Sequence, residues 1–589
     1  MTSTQLLALS EPARRPRAAG FRRLMANPTG AAALVFLVLI VLLGAFASLL
    51  APHNLNTATA ADVLGPLSST HPLGSDSAGR DVLSRLLYGT RNSLLGALLA
   101  TAVAAVFGVT SGLIAGYYAR WFDTLATWAA GLLQSLPGMV VLLAARAVLG
   151  PSIWMAMAIF GVLLTPAFFR LVYASVTAVR NELYVDAARV FGIGDARIIA
   201  RHILTVVRAP ALVQAANVAG IAIGVQSGLE FLGLGDLSLP TWGSMLNDGF
   251  ANIYSAPVLM LWPSLAIALT CISLVLLANA LRDVLQRTGA APRRARRRVA
   301  RHEAPDETEP TLVHEEQAGD LDAAPGEELL RLDRLGVGYD QPDGSVKIVV
   351  SDVSLTVHRG EVHGLIGESG SGKTQTAWSV LQLLPEGGRI TSGSIVFDGT
   401  ELTRLGATAL TKLRGTRIAY IPQEPMSNLD PSFTIGSQLV EPLRLHLRLS
   451  RRQARERALE LLGKVGIREP ERTFAAYPHE ISGGMAQRVL IARAISCEPD
   501  LLIADEPTTA LDVTVQADVL ELLRELQKEM RMGMILVTHN FGVVADLCDR
   551  VSVMRAGRIV ETGPVLSVFD APQHPYTRSL FDAILEGAE

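Results

Sequence analysis

The chain has 589 residues, 49% of them hydrophobic and only 18% charged, with a formal net charge of −3 and a mean hydropathy of +0.33. That length exceeds what one core fills, so at least two domains are expected, and the hydropathy argues against an ordinary soluble enzyme. Cys271, Cys497 and Cys548 are too scattered for a disulfide framework or a zinc site and read as buried, reduced thiols.

The apolar residues lie mostly between about residues 30 and 281. Arg14, Arg15, Arg17, Arg22 and Arg23 precede an apolar run over residues 31–50. A run of about 20 residues spans a hydrocarbon core of about 30 Å. No A-x-A-like site closely follows it, so it reads as a retained transmembrane helix and not a signal peptide. Further spans are expected over residues 94–117, 125–149, 153–176, 209–234 and 258–281, making six. Lipid offers the backbone no hydrogen-bond partners, so each should be helical. Arginine is concentrated in the N-terminal tail, at Arg120, at Arg180, Arg189, Arg197, Arg201 and Arg208, and after the sixth span. Those segments are expected in the cytoplasm, with both termini inside. Arg80, Arg85 and Arg91, before the second span, run against that orientation.

The loop after the fourth span reads Tyr184-Val185-Asp186-Ala187-Ala188-Arg189-Val190-Phe191-Gly192 and continues from Asp195 to His202. A short helix, a break at Gly192 and a second amphipathic helix would form a knob, whose Ala187 and Ala188 allow close backbone approach. A plain surface helix-turn-helix accounts for the same residues. The loop resembles the EAA loop of bacterial ABC importer permeases, with Asp186 where Glu is usual and Thr205 where Pro is common. His71-Pro72-Leu73-Gly74-Ser75-Asp76, Gly79-Arg80-Asp81-Val82-Leu83-Ser84-Arg85, Phe231-Leu232-Gly233-Leu234-Gly235 and Pro240-Thr241-Trp242-Gly243 resemble the "C"-type permeases of the dipeptide, oligopeptide and nickel importers. Together these resemblances cover the membrane half.

Residues 293–328 are rich first in Arg and then in Glu, Asp, Pro and Ala, without apolar periodicity, and read as a flexible tether. The basic run at 293–298, just inside a last span, fits contact with anionic headgroups, so no nucleic-acid partner is expected.

Beyond the tether, Gly367-Glu368-Ser369-Gly370-Ser371-Gly372-Lys373-Thr374 matches G-x-x-x-x-G-K-[ST] between an apolar strand at 362–366 and a helix at 374–384. Such a loop cradles phosphates with backbone N–H groups, Lys373 adds a point charge and Thr374 can ligate Mg²⁺. The rest of the half resembles the ABC ATPases in motif order, and the following roles are what that resemblance implies. Tyr339 matches the aromatic that stacks on adenine, and Gln423 the Q-loop glutamine that touches Mg²⁺ or the attacking water. Ser482, Gly483 and Gly484, followed by Met485 where Gln is commoner, match the signature that binds the γ-phosphate held by an opposite ATPase. Asp505 would organise Mg²⁺, Glu506 would act as general base or water-orienting group, Asp512 belongs to the loop crossing a dimer interface, and His539 is the switch histidine. His574-Pro575-Tyr576-Thr577-Arg578-Ser579-Leu580 resembles the tail of the "D" and "F" oligopeptide and dipeptide ATPases, without a cysteine-containing extension that would predict an iron–sulfur cluster.

The expected fold is therefore a two-domain membrane protein, an all-α six-helix transmembrane permease domain followed by an α/β P-loop ABC ATPase domain. The boundaries expected are a cytoplasmic tail over residues 1–29, a permease over 30–285 with a coupling loop at about 182–205, a linker over 286–328 and an ATPase over 329–589. The resemblance implies ATP-driven import of di- or oligopeptides, or of a related solute such as a nickel chelate, across the cytoplasmic membrane. ATP and Mg²⁺ are the expected cofactors. One P-loop and one six-helix bundle imply a second ATPase and a second permease as partners, either as a homodimer or, following the family, as different chains. An extracytoplasmic solute-binding protein completes the set. An exporter would carry long helical extensions into the cytoplasm, and a non-transport sensor would not need both Glu506 and His539.

Overall fold

The computed structural model describes residues 24–289 apart from 56, 120, 237 and 238, and residues 326–586 apart from 342 and 510. The arginines of the N-terminal tail, Arg120 and the basic run at 293–298, with most of the expected linker, lie outside the described residues. The chain divides into two compact units, Met1–Arg180 with Ile203–Pro305, and Asn181–His202 with Asp306–Glu589.

The first unit is helical. Helix α1 (Pro28–Ala45) opens on a proline, whose missing N–H costs nothing in a first turn. Helix α2 (Val82–Tyr118) is capped by Asp81, which accepts a hydrogen bond from Ser84 N. The third expected span is not one helix: α3 (Trp121–Ser135) and α4 (Gly138–Leu149) meet at 83°. Pro137 explains the break, because it has no N–H to donate and forces Leu136 away from helical ψ. Helix α5 (Ile153–Val179) packs along α2. Gly108, Gly112 and Gly116 recur every fourth residue on α2, and a Cβ on each would meet Phe168, Val172 and Val176 at 2.8 Å or less.

The fifth span also departs from expectation. Asp195–Phe231 is one 37-residue helix, so the second half of the knob is the first turns of that span and not a separate helix. A π-helical segment at Ile198–Ile203 lies inside it, before α6 (Leu204–Phe231). The two motifs after it close a turn around Glu230, which is buried. Glu230 accepts hydrogen bonds from Thr241 Oγ1 and, at 3.2 Å, from Gln226 Nε2. Trp242 opens α7 (Trp242–Ala251) and donates from Nε1 to Thr90 Oγ1 at 3.1 Å. Helix α8 (Val258–Gly289) is the last described element of the unit. Five helices among the described residues are long and apolar enough to cross a membrane, or six if the bent pair is one span.

The second unit carries two sheets. Strands β1 (Glu328–Asp340), β2 (Val346–His358), β4 (Gly388–Phe397) and β5 (Thr400–Glu401) form an antiparallel sheet in the order β2-β1-β4-β5. The larger sheet runs β10-β9-β3-β8-β7-β6, from β3 (Val362–Ile366), β6 (Ile418–Ile421), β7 (Leu501–Asp505), β8 (Gly533–Val537), β9 (Arg550–Arg555) and β10 (Arg558–Pro564). Its strands are parallel except for β10. On β7 and β8, Leu502, Ala504, Met534 and Leu536 enter one core while Leu501, Ile503, Ile535 and Val537 enter the other, so alternate side chains are buried on both faces. All three cysteines are free, and each is half-buried.

Gly112→Leu should overpack the α2–α5 contact at a cost of about 1–3 kcal/mol, read as a lower unfolding temperature of the purified chain in detergent. An unchanged midpoint would show that the helices do not approach as closely as Gly112 allows.

Candidate nucleotide site and docked segment

In the parallel sheet the carboxyl ends of neighbouring strands face one crevice, where such sheets hold ligands. The P-loop follows β3, Gln423 lies two residues beyond β6, Glu506 follows β7 directly and His539 lies two residues past β8. Ala504 pairs with Leu536 and Leu365 with Val537, so the loops after these strands emerge side by side.

Gly367 has φ +147, and a Cβ there would collide with the carbonyl of Met554. The loop feeds α9 (Lys373–Leu381), whose first-turn N–H groups are free of helical partners. Lys373 donates from Nζ to the carbonyls of Gly367 and Glu368, both at 2.8 Å. Burial lowers its pKa against the pull of Glu506 and Asp505. Thr374 Oγ1 lies 3.4 Å from Asp505 Oδ1. Tyr420 donates to the other Asp505 oxygen at 3.0 Å and accepts from Trp378 Nε1 at 2.9 Å. Burial outweighs these bonds and pushes Asp505 up to about 6.

Glu506, with φ +46, turns its carboxylate toward three donors. Gln423 Nε2 lies at 2.6 Å, Thr509 Oγ1 at 2.8 Å and His539 Nδ1 at 3.0 Å. Burial would raise its pKa, but the bonds from His539 and Thr509 hold it below the ordinary value. Tyr339 lies on β1, and its hydroxyl donates to Gln375 on α9. Ser369, Gly370, Ser371 and Gly372 complete the loop, and Ser371 is buried.

The signature lies apart from this cluster. Ser482 caps α11 (Gly483–Ala494) by accepting from Met485 N at 3.3 Å, so Gly483 and Gly484 offer free first-turn N–H groups. Asp512, exposed, is the N-cap of α12 (Val513–Met530). Among the described residues no hydrogen bond joins Ser482 or Asp512 to the P-loop cluster. The structure brings the P-loop, Gln423, Asp505, Glu506 and His539 together and leaves Ser482 and Asp512 outside that cluster.

Residues Asn181–His202 belong to the second unit and dock on it. Their short helix (Leu183–Val190) buries Ala187 and Ala188, while Val190 joins the core behind the P-loop helix. Asp186 pairs with Arg189 Nη1 at 2.8 Å. Gly192 has φ +67, and a Cβ would meet the carbonyls of Arg414 and Thr411 at 2.5 and 2.6 Å. Helix α10 (Ile435–His446) presents Glu441, which lies 3.0 Å from Arg197 Nε and 3.4 Å from both Arg201 Nε and His202 Nε2. His202 Nδ1 is 2.7 Å from Asp430 Oδ2, and His446 Nε2 bonds the carbonyl of Phe191 at 2.8 Å. The guanidinium of Arg493 lies over the Phe191 ring at 3.9 Å, and burial pulls its pKa down to about 10.

Glu441, Asp430, Arg493, His446 and Tyr420 carry no motif signal and were not singled out from sequence. Of the groups that face Glu441, the sequence marks Arg197 and Arg201 as charges that set orientation and His202 as the end of the knob.

Profiles of three families match the chain. That for the N-terminal TM domain of oligopeptide transport permease C covers residues 17–66, that for the binding-protein-dependent transport system inner membrane component covers 108–288, and that for the ABC transporter covers 350–509. A protein of Brucella melitensis named for peptide import and ATP binding is 52% identical over 40% of this chain and 71% of its own length. The peptidoglycan transport ATP-binding protein of Agrobacterium fabrum is 51% identical over 44% of this chain and 47% of its own. The oligopeptide transport ATP-binding protein of Salmonella typhimurium is 47% identical over 45% and 80%.

Removing the acid that faces so many cations should be costly. Glu441→Ala is expected to destabilise the second unit by about 3–5 kcal/mol in thermal unfolding, and Glu441→Gln by less. Burial raises the Glu441 pKa, but the His202 bond and the Arg201 charge win and hold it below its ordinary 4.5. Its ionic contribution should therefore be intact above pH 4.5 and fade only as pH falls through the depressed value.

Proposed function

This chain belongs to the ABC transporter family, with an inner-membrane component and an ATP-binding cassette in one polypeptide, and from that premise we propose that it drives the import of di- or oligopeptides. The observation that carries this reading is the docked segment. Asn181–His202 runs in the chain between helices of the membrane component yet packs on the cassette, so a change of shape in the cassette has a direct route to those helices. The printed functions of the Brucella and Salmonella relatives support a peptide cargo. The Agrobacterium relative, named for peptidoglycan transport, is nearly as similar in the cassette, which fits a cassette that supplies work while other parts choose the solute.

ATP binds at the P-loop and is hydrolysed there. We assign Lys373 and the backbone N–H groups of Gly367 to Thr374 to the phosphates and Tyr339 to the adenine. Thr374, Asp505 and Gln423 would hold Mg²⁺, and their oxygen donors suit a hard cation. Bound there, Mg²⁺ would offset the charge of the β- and γ-phosphates. Glu506 orients the attacking water in place of one of its present donors, and His539 stays beside it to meet the γ-phosphate. Ser482, Gly483, Gly484 and Asp512 complete the site of a second cassette, so the working unit is a pair. Its partners are a second permease, a second ATPase and an extracytoplasmic binding protein. Both termini and the docked segment face the cytoplasm of a cell whose inner membrane the chain crosses.

Reconstituted with those partners in proteoliposomes, the chain should accumulate labelled di- or oligopeptide in an ATP-dependent way. Accumulation of a nickel chelate in their place would overturn the peptide assignment. Glu506→Gln should cut ATP turnover by about 10²-fold or more while ATP binding persists, and uptake should fall with it. Unchanged accumulation in that variant would contradict coupled hydrolysis.

A further inference from the structure

Among the described residues, one grouping of metal-ligating side chains is used by neither the nucleotide cluster nor the docked segment. His53 and His71 lie in the loop between α1 and α2, and Asp81 caps α2; each offers one ligand atom, and these atoms lie within 4.8 Å of one another. His71 Nδ1 is 3.1 Å from Asp81 Oδ1, and His53 Nδ1 is 3.9 Å from Asp81 Oδ2. Nitrogen and oxygen ligands at about 2.0–2.1 Å from a tetrahedral Zn²⁺ stand about 3.3 Å from each other, between those two spacings.

Three observations separate this grouping from an ordinary surface cluster. His53 Nδ1 is buried and has no hydrogen-bond partner among the described residues. A buried nitrogen of that kind needs an explanation, and an ion is one. His71 Nε2 faces Asp62 Oδ2 at 3.7 Å. His71 Nδ1–H donates to Asp81 Oδ1 at 3.1 Å, and a cation that took the place of that proton would leave Nε2–H facing Asp62, the arrangement of carboxylate–histidine–metal triads. Finally, Asp81 is only 1% exposed, and its Oδ2 accepts from Ser84 N at 2.8 Å and Ser84 Oγ at 2.7 Å. The carboxylate is thus held in place by the first turn of α2.

We propose that His53, His71 and Asp81 form a site for a divalent transition-metal cation of the Zn²⁺ class, with Asp62 and Ser84 orienting the ligands from behind. Two imidazoles and one carboxylate suit Zn²⁺ and its neighbours better than Mg²⁺ or Ca²⁺, which take oxygen ligands. Three protein ligands leave a fourth position. Of the two imidazoles His53 is the more open, 35% exposed against 14% for His71. The cation ties both ends of the loop to the start of α2.

The test uses the full chain in lipid nanodiscs, purified without a polyhistidine tag, stripped with a chelator and titrated with Co²⁺ and then Zn²⁺. One equivalent of Co²⁺ should give visible absorption bands of low-symmetry coordination, and Zn²⁺ should displace it. His53→Ala and His71→Ala should each weaken binding more than tenfold, and Asp62→Asn by about tenfold. His53→Gln, which keeps a polar side chain, replaces His53→Ala if that variant does not fold. No Co²⁺ bands in the wild-type chain, or bands that survive the double substitution of His53 and His71, would overturn the site and leave an imidazolium–carboxylate cluster.

Discussion

Glu441 is only 1% exposed and stands where Arg197, Arg201 and His202 converge, with the buried Arg493 nearby. A single carboxylate at that depth would be expensive, and so would the cations without it. Acid and cations therefore specify one another. Arg197, Arg201 and His202 come from the first turns of the Asp195–Phe231 helix and the acid from a cassette helix. Their pairing fixes where the segment sits on the cassette. The Gly192 turn, the buried Ala187 and Ala188 and the His446 bond to the Phe191 carbonyl support that placement.

The nucleotide cluster follows from a different constraint. Parallel strands buried on both faces bring their carboxyl ends to one edge, so residues far apart in the chain meet there without long-range design. Gln423, Glu506 and His539 come from the ends of three strands and close on one another through the Glu506 carboxylate. Asp505 sits one residue earlier, deeper, and is held by Tyr420 and Thr374. The adjacent acids have opposite pKa shifts because one is buried with few donors and the other has three.

Much of this was legible in the chain itself, and the reasons differ by region. The P-loop, signature and acidic strand end were readable because phosphate chemistry restricts residue types at fixed spacing. The apolar spans were readable because lipid demands length and composition. The break at Pro137 could have been read from the proline, but the apolar run of 125–149 hid it. The continuity of Asp195–Phe231 was missed because its first turns are polar, and polarity there signals docking to protein rather than the end of a helix. Glu441, Asp430 and Arg493 were invisible for a more basic reason. Their significance lies in what faces them across more than two hundred residues of sequence, and no local pattern records a tertiary ion pair.

The central claim is that the docked segment transmits work. Gly192 tests it most directly, because any side chain there must push the segment away from the carbonyls of Thr411 and Arg414, which lie outside the P-loop cluster. The decisive measurement is solute accumulated per ATP hydrolysed, in proteoliposomes carrying Gly192→Val. The account predicts that hydrolysis continues while accumulation per ATP collapses; an unchanged ratio would contradict it.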